Sequence, residues 1–297
     1  MKSLKTDSLV SVLLEQKKLK AKSRGRKVKR LVMPKSKSIK ILERSYYAEI
    51  KPILQAARAA VERVLLPKLE QIIRIRDSSR PKGDSAEAFL KGRMDSWVDE
   101  IESAMKKIRI QFEQIITIPL IKTKATSQAT KINRANSEGF KKGFEKVLGI
   151  PPIRIESWLQ EEIKAFTKAN VELIKSIPQT YFNQVEDTVS RMVQQGKMTT
   201  EISDEIERRF EVSESRAALI ARDQTNKFNG SLTQLRQQEV GVTQYHWETA
   251  GDERVRESHA ENQGKIFDWN DPPETGHPGF EINCRCTALG IIDLGEE

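Results

Sequence analysis

Cysteine is nearly absent from this 297-residue chain, which has only Cys284 and Cys286. A single C-x-C pair makes no disulfide framework, and a reducing compartment is the default for such usage. Aromatics are scarce at 6% of residues, and apolar content is 37% against 31% charged. That balance is lean for a compact globule and fits elongated helical proteins whose cores are narrow seams. No apolar run approaches the roughly 18–20 residues that span a bilayer. No apolar h-region precedes a cleavage site near the N-terminus, so secretion by a signal peptide is not expected. H-E-x-x-H, D-x-D, a His–Cys nucleophile pairing and a Gly-rich phosphate loop are all missing. Their absence removes the commonest hydrolytic and nucleotide-binding sites, and a protein that is not an enzyme is expected.

Charge is unevenly placed. Residues 1–40 hold fourteen Lys and Arg against Asp7 and Glu15, a net +12, which leaves −3 of the total +9 for the rest. Lys17, Lys18, Lys20, Lys22, Arg24, Arg26, Lys27, Lys29 and Arg30 form the densest run. So charged a segment cannot bury enough surface to offset its ordering entropy, and a flexible basic arm is expected. It reads either as a solvated tail or as an electrostatic contact for a polyanion such as DNA, without aromatic side chains for stacking on bases.

The body is patterned for helices. Residues 41–76 are helical with Pro52 and Pro67 expected to kink or break the run. The clearest stripe is Leu90, Met94, Trp97, Ile101, Met105, Ile108, Phe112 and Ile115, at steps of three and four, which wants an apolar neighbour along its length. Residues 123–148 read as helical but weakly buried. Gly149-Ile150-Pro151-Pro152 marks a boundary. Helices are then expected over 156–176, 178–195, 199–210 and 213–239. On the last, Arg222, Asn226 and Asn229 share one face, where they are either surface groups or donors to later loops.

Past Gly241 the period becomes two. Tyr245 and Trp247 alternate with polar neighbours, and strands are expected at 244–248, 265–269 and 286–292, separated by Gly/Pro/Asn/Asp loops. All three histidines (His246, His259, His277) and both cysteines lie in this stretch. Two or three short strands are not stable alone, so they must pack on a helix or hold a metal. His259, His277, Cys284 and Cys286 form a candidate four-ligand zinc set. The competing readings are a disulfide and ordinary buried side chains hydrogen-bonded to loops. A metal-assisted nuclease or toxin-like effector, using histidine with Asp252, Glu253 and Asn262, is the alternative function.

One series carries a resemblance: Ala221-Arg222-Asp223-Gln224-Thr225, Asn229, Gly241-Val242, Trp247, Asp252-x-Arg254-Val255-Arg256-x-x-His259, Gly264-Lys265-x-Phe267 and Asn283-Cys284-Arg285-Cys286. In order and spacing it resembles the phage Mu F-like head morphogenesis family of minor head (minor capsid) proteins, over roughly residues 185–290. Many members carry C-x-x-C where this chain has Arg256-Glu257-Ser258-His259, and those members look as if they form a four-cysteine cluster with the C-x-C. Here Arg256 stands in one of those places and can instead tie loop carbonyls or pair with Asp252 or Glu253. The resemblance implies an architectural loop clip of Arg222, Asn229, Asp252, Arg254, Arg256, His259, Asn283, Cys284 and Cys286. It also implies portal protein and other head proteins as partners, packaged double-stranded DNA as a contact of the arm, no membrane, and a place in the virion head and in the host cytoplasm during assembly.

The expected fold class is mainly α, with an elongated helical N-terminal half and a small α+β C-terminal module. Its expected parts are a basic arm (1–40), a helical domain (41–150), a helical block (151–241) and a sheet-and-loop module (242–297).

Overall fold

The computed structural model describes residues 30–35, 39–78, 85–152 and 154–293, with the backbone alone for residues 85–95 and 293. The protein is 71% helical with a small antiparallel sheet, as the patterning predicts. Five long helices, α1 (Lys40–Ser78), α2 (Ser85–Ile115), α3 (Ile118–Leu148), α4 (Leu159–Gln194) and α5 (Thr199–Glu239), are joined by a short α6 (Glu257–Ala260) and strands β1 (Arg30–Val32), β2 (Gln244–Glu248), β3 (Ile266–Asp268) and β4 (Thr287–Asp293). No described helix is long and apolar enough to cross a membrane.

Pro178, expected to separate two helices, does not, and Pro52 and Pro67, expected to kink or break their run, do not break it. Pro52 and Pro67 lie inside α1, and Pro178 lies inside α4. Each removes an amide donor and crowds the preceding turn, at about 3 kcal/mol. On both sides of them, however, the apolar stripe is buried: Ile50, Ile53 and Leu54 around Pro52, Leu65 and Leu69 around Pro67, Ile174, Ile177 and Tyr181 around Pro178. Continuous burial of such rows outweighs one lost hydrogen bond. For the same reason the two helices expected over 199–210 and 213–239 are one, α5, with Phe210, Ser213 and Ala217 buried across the expected break. Pro119 sits in the first turn of α3, where a missing N–H costs nothing, and the Thr117 hydroxyl accepts the Leu120 N–H.

The chain forms two compact units, each assembled from separated stretches. One comprises 46–125 and 167–221. There the α2 stripe is buried from Trp97 through Ile101, Met105 and Ile108 to Phe112, and Phe112 meets Phe182 of α4 edge to face at 5.2 Å. Ile115 ends the stripe in solvent at 61% exposure, while the side chains of Leu90 and Met94 lie outside the described residues.

The other unit comprises 1–45, 126–166 and 222–297. Its part of α3 is better buried than its composition suggests: Gln128, Ala129, Ile132, Asn136, Phe140 and Phe144 are all covered. Small residues let a neighbouring backbone approach, so a segment poor in large apolar side chains still packs. The sheet order is β1-β4-β2-β3, antiparallel throughout, with Tyr245 opposite Gly290 and Trp247 opposite Ala288 in the central pair. β1 was not expected. Arg30, Leu31 and Val32 pair with Asp293, Ile292 and Ile291, so the last part of the basic segment is an edge strand rather than a flexible arm. Lys17, Lys18, Lys20, Lys22, Arg24, Arg26, Lys27 and Lys29 lie outside the described residues.

One apolar cluster joins Met33, Phe140, Phe144, Leu148, Val240, Val242 and Ile292, and another joins Tyr245, Trp247, Trp269, Cys284, Cys286 and Ala288. Between them runs a polar spine at the end of α5. Arg236 is fully buried and fork-bonds both oxygens of Glu156 at 2.9 and 3.1 Å, while also donating to Asn136 and Asn133. Glu239 accepts the backbone N–H groups of Ile155 and Glu156, holding Glu156 at a left-handed φ of 47°. Next to it Gln237 accepts the Trp269 indole N–H and donates to the Ala288 carbonyl. A Cβ at Gly290 would fall 2.8 Å from that Gln237 amide, so a side chain there would displace an amide that two hydrogen bonds hold.

Candidate functional site

The C-terminal loops are long and polar, and little apolar surface holds them. What holds them is a set of side-chain ties built outward from α5. Arg222 donates to the Asn283 side chain at 3.1 Å, and its neighbour Asp223 accepts the Asn283 N–H at 2.8 Å. Asn283 itself has φ 61°, a conformation asparagine tolerates better than most residues. Two turns on, the loop Pro278–Gly279 lies on the helix at Gly230. A Cβ on Gly230 would meet the Pro278 carbonyl at 3.0 Å, and one on Gly279 would meet the Asn226 carbonyl at 3.2 Å.

Two further clamps close the loops on each other. Arg285 grips both oxygens of Asp252 at 2.5 and 2.6 Å, which holds the Asp252 carboxyl down to about 2. Arg256 pairs with Glu281 at 3.0 Å and donates to the Ile282 carbonyl at 2.7 Å. So Arg256 does bind a loop carbonyl, but its acid is Glu281, and Asp252 belongs to Arg285.

Inside these clamps sit His259, Cys284 and Cys286, all buried. The Nε2 of His259 meets Glu281 at 2.9 Å, and its Nδ1 faces the Cys284 sulfur at 3.5 Å and the Cys286 sulfur at 3.6 Å. The imidazole also stands edge-on to the Trp247 ring at 5.4 Å. The Cys286 thiol beside it draws Cys284 down from its ordinary value against the opposing effect of burial, helped by the N–H groups of Cys286 and Gly279. The same contact, together with burial, pushes Cys286 up. Both cysteines are free.

His277 does not join them. It is held by the Tyr245 hydroxyl at its Nδ1, 2.9 Å away, and by a backbone group of Trp269, and its ring lies tilted against Trp269 and edge-on to Phe280. Burial lowers its pKa, which favours the neutral imidazole. The four-residue set expected from sequence therefore comes together as three. Asn229 also lies elsewhere: its carbonyl and side-chain oxygen accept from Asn136. Arg254 is exposed, approaches Glu253 only loosely at 3.9 Å, and contributes its backbone N–H to Asp252. Glu281, Arg285, Arg236 and Gln237 were missed. Arg285 lay inside the quoted C-x-C motif, and Glu281 three residues before Cys284, but nothing local marks either as a clamp.

The geometry defines a class: a small α+β module fastened to a long helix by paired charges and a buried thiol–imidazole cluster. Comparison with known sequences is more specific. Residues 183–289, from the second half of α4 to β4, match the family described as Phage Mu protein F like protein, and the likeness is confined to that third of the chain. A protein of Haemophilus influenzae (strain ATCC 51907 / DSM 11121 / KW20 / Rd), described as "Uncharacterized protein", is 41% identical over 140 residues. The match takes in 47% of this chain and 31% of that protein, so the chain spans about a third of the length of that relative. No solved structure matches.

Proposed function

We propose that this chain is a minor head protein of a tailed bacteriophage that acts in head morphogenesis at the portal vertex. The observation that carries the reading is the Mu F-like match over residues 183–289, since that family suggests a phage head morphogenesis protein. The site chemistry supports it. The polar groups of the knot are spent on one another: Asp252 on Arg285, Glu281 on Arg256 and His259, Asn283 on Arg222 and Asp223. Groups paired in this way fix loops and are poorly placed to attack a substrate, which favours a fastener over an enzyme. In this reading the chain works in the assembling head, in host cytoplasm and then in the virion. Its basic N-terminal residues neutralise phosphates of packaged double-stranded DNA without reading sequence.

The test is affinity capture from cells assembling heads, with the chain tagged and portal protein probed by mass spectrometry. Portal protein is expected with the wild type, and this chain is expected in purified proheads. Removal of residues 1–29, which spares β1, is expected to keep portal capture while reducing salt-sensitive DNA binding. Absence of the chain from proheads overturns the proposal, as does metal-dependent cleavage of DNA lost in His259→Ala.

A further inference from the structure

We propose that His259, Cys284 and Cys286 bind one thiophilic divalent cation, zinc by preference, through Nδ1 and the two sulfurs, with solvent completing the coordination. The first argument is distance. A tetrahedral zinc with Zn–S of about 2.3 Å and Zn–N of about 2.05 Å sets sulfur and nitrogen ligands about 3.6 Å apart. The two sulfurs lie 3.5 and 3.6 Å from His259 Nδ1, and the three ligand atoms are mutually within 4.8 Å.

The second argument is proton accounting. With Glu281 2.9 Å from Nε2, the imidazole proton belongs there and Nδ1 presents a bare lone pair. One lone pair can accept one S–H, so with two sulfurs at equal range the second proton is left to the neighbouring sulfur, a weak acceptor. A cation at the point where all three converge satisfies each of them. A carboxylate behind a ligating histidine is also the usual outer partner that fixes tautomer and ring orientation at such sites.

The third argument is the surroundings. The Gly279 N–H points at the Cys284 sulfur at 3.3 Å, in a buried position where a donor aimed at sulfur favours thiolate. Two thiolates and one imidazole select soft or borderline cations over magnesium or calcium. Among the described residues no fourth protein ligand is at hand. Both Asp252 oxygens are taken by Arg285, and His277 is held by Tyr245. Instead a polar cavity of about 100 Å³, lined in part by Arg254, Arg256, Asn283 and Arg285, borders all three ligands. Water, or an anion attracted by those arginines, has room to bind there. This site is independent of the portal reading, since a metal clip would serve any architectural role.

The experiment is metal analysis of the full-length chain, purified without chelators, followed by exchange into cobalt(II). One zinc per chain is expected, and the cobalt form should show a thiolate-to-metal charge-transfer band with intense visible bands of tetrahedral type. Cys284→Ala and His259→Ala should lose the metal, while His277→Ala keeps it. His259→Cys guards against a mere folding failure. It supplies a third sulfur, so it should retain one metal per chain and strengthen the charge-transfer band. Substoichiometric metal in the wild type after zinc addition overturns the proposal. So do a Cys284–Cys286 disulfide under reducing purification, metal loss in His277→Ala, or an unchanged cobalt spectrum in His259→Cys.

Discussion

The two compact units are held together by different chemistry. The unit of residues 46–125 and 167–221 rests on rows of Ile, Leu, Val and Phe along helices, with a few ties such as Tyr46 to Asn170 and Arg76 to the Lys197 carbonyl. The other unit contains the sheet and loops and uses many more specific polar ties: Arg236 with Glu156, Gln237 with Trp269 and Ala288, Arg285 with Asp252, Arg256 with Glu281. An apolar seam is non-directional, so side chains of similar volume exchange at little cost. A polar knot is directional, and removing one partner leaves another buried and unpaired. The comparison teaches that size-conserving changes should be absorbed by the first unit and felt in the second.

The largest expected break is Arg236→Ala. It opens a hole where a fully buried side chain stood, leaves the side-chain oxygens of Asn133 and Asn136 without that donor, and leaves Glu156 with Arg154 alone. Loss of one member of a buried pair costs roughly 3–5 kcal/mol, read as a fall in the urea midpoint at neutral pH. Gly290→Ala follows. Its new methyl would press on a Gln237 amide already fixed by two hydrogen bonds, and overpacking of this kind costs about 1–3 kcal/mol. Ile101→Val, one methylene fewer in the apolar seam, is expected to cost only about 0.5–1.5 kcal/mol. If the seam change proves the more costly, the contrast between the units fails.

How much of this was legible in the sequence follows the same division. The α2 stripe and the alternation at Tyr245 and Trp247 are local periodicities, and the structure has the helix and strand they predict. The prolines misled because a helix breaker is weighed locally while the burial that overrides it is set by neighbours far along the chain. β1 was illegible since Arg30–Val32 become a strand only by pairing with Ile291–Asp293. Arg236 reads as an ordinary surface cation in the last turn of a helix, yet its partners Asn133, Asn136 and Glu156 are 80 to 103 residues away. For His259, Cys284 and Cys286 the residue types sufficed to suggest a cluster. His277 has the same chemistry but is taken by Tyr245, which only the fold decides.

Acid should sharpen the contrast with a smaller effect. Burial alone would raise the Glu156 carboxyl, but Arg236 and Arg154 outweigh it and hold it below its ordinary 4.5. Asp252 is held from its ordinary 3.8 down to about 2 by Arg285. Depressed carboxylates give stability that is present above their unfolded values and is lost as pH falls toward their folded ones. The knot should therefore weaken progressively below about pH 4.5. Urea titrations from pH 6 to pH 3 should show a shallower decline for Glu156→Gln than for the wild type, after correction for its lower starting stability.

The measurement that reaches the central claim is quantitative capture of portal protein by matched variants from cells assembling heads. If the tied C-terminal module is the fastener, Arg236→Ala loses portal protein while Ile101→Val, expected to be the milder change, captures it at the wild-type level. Equal capture by both, with the Arg236→Ala module shown by proteolysis to be open, would contradict it.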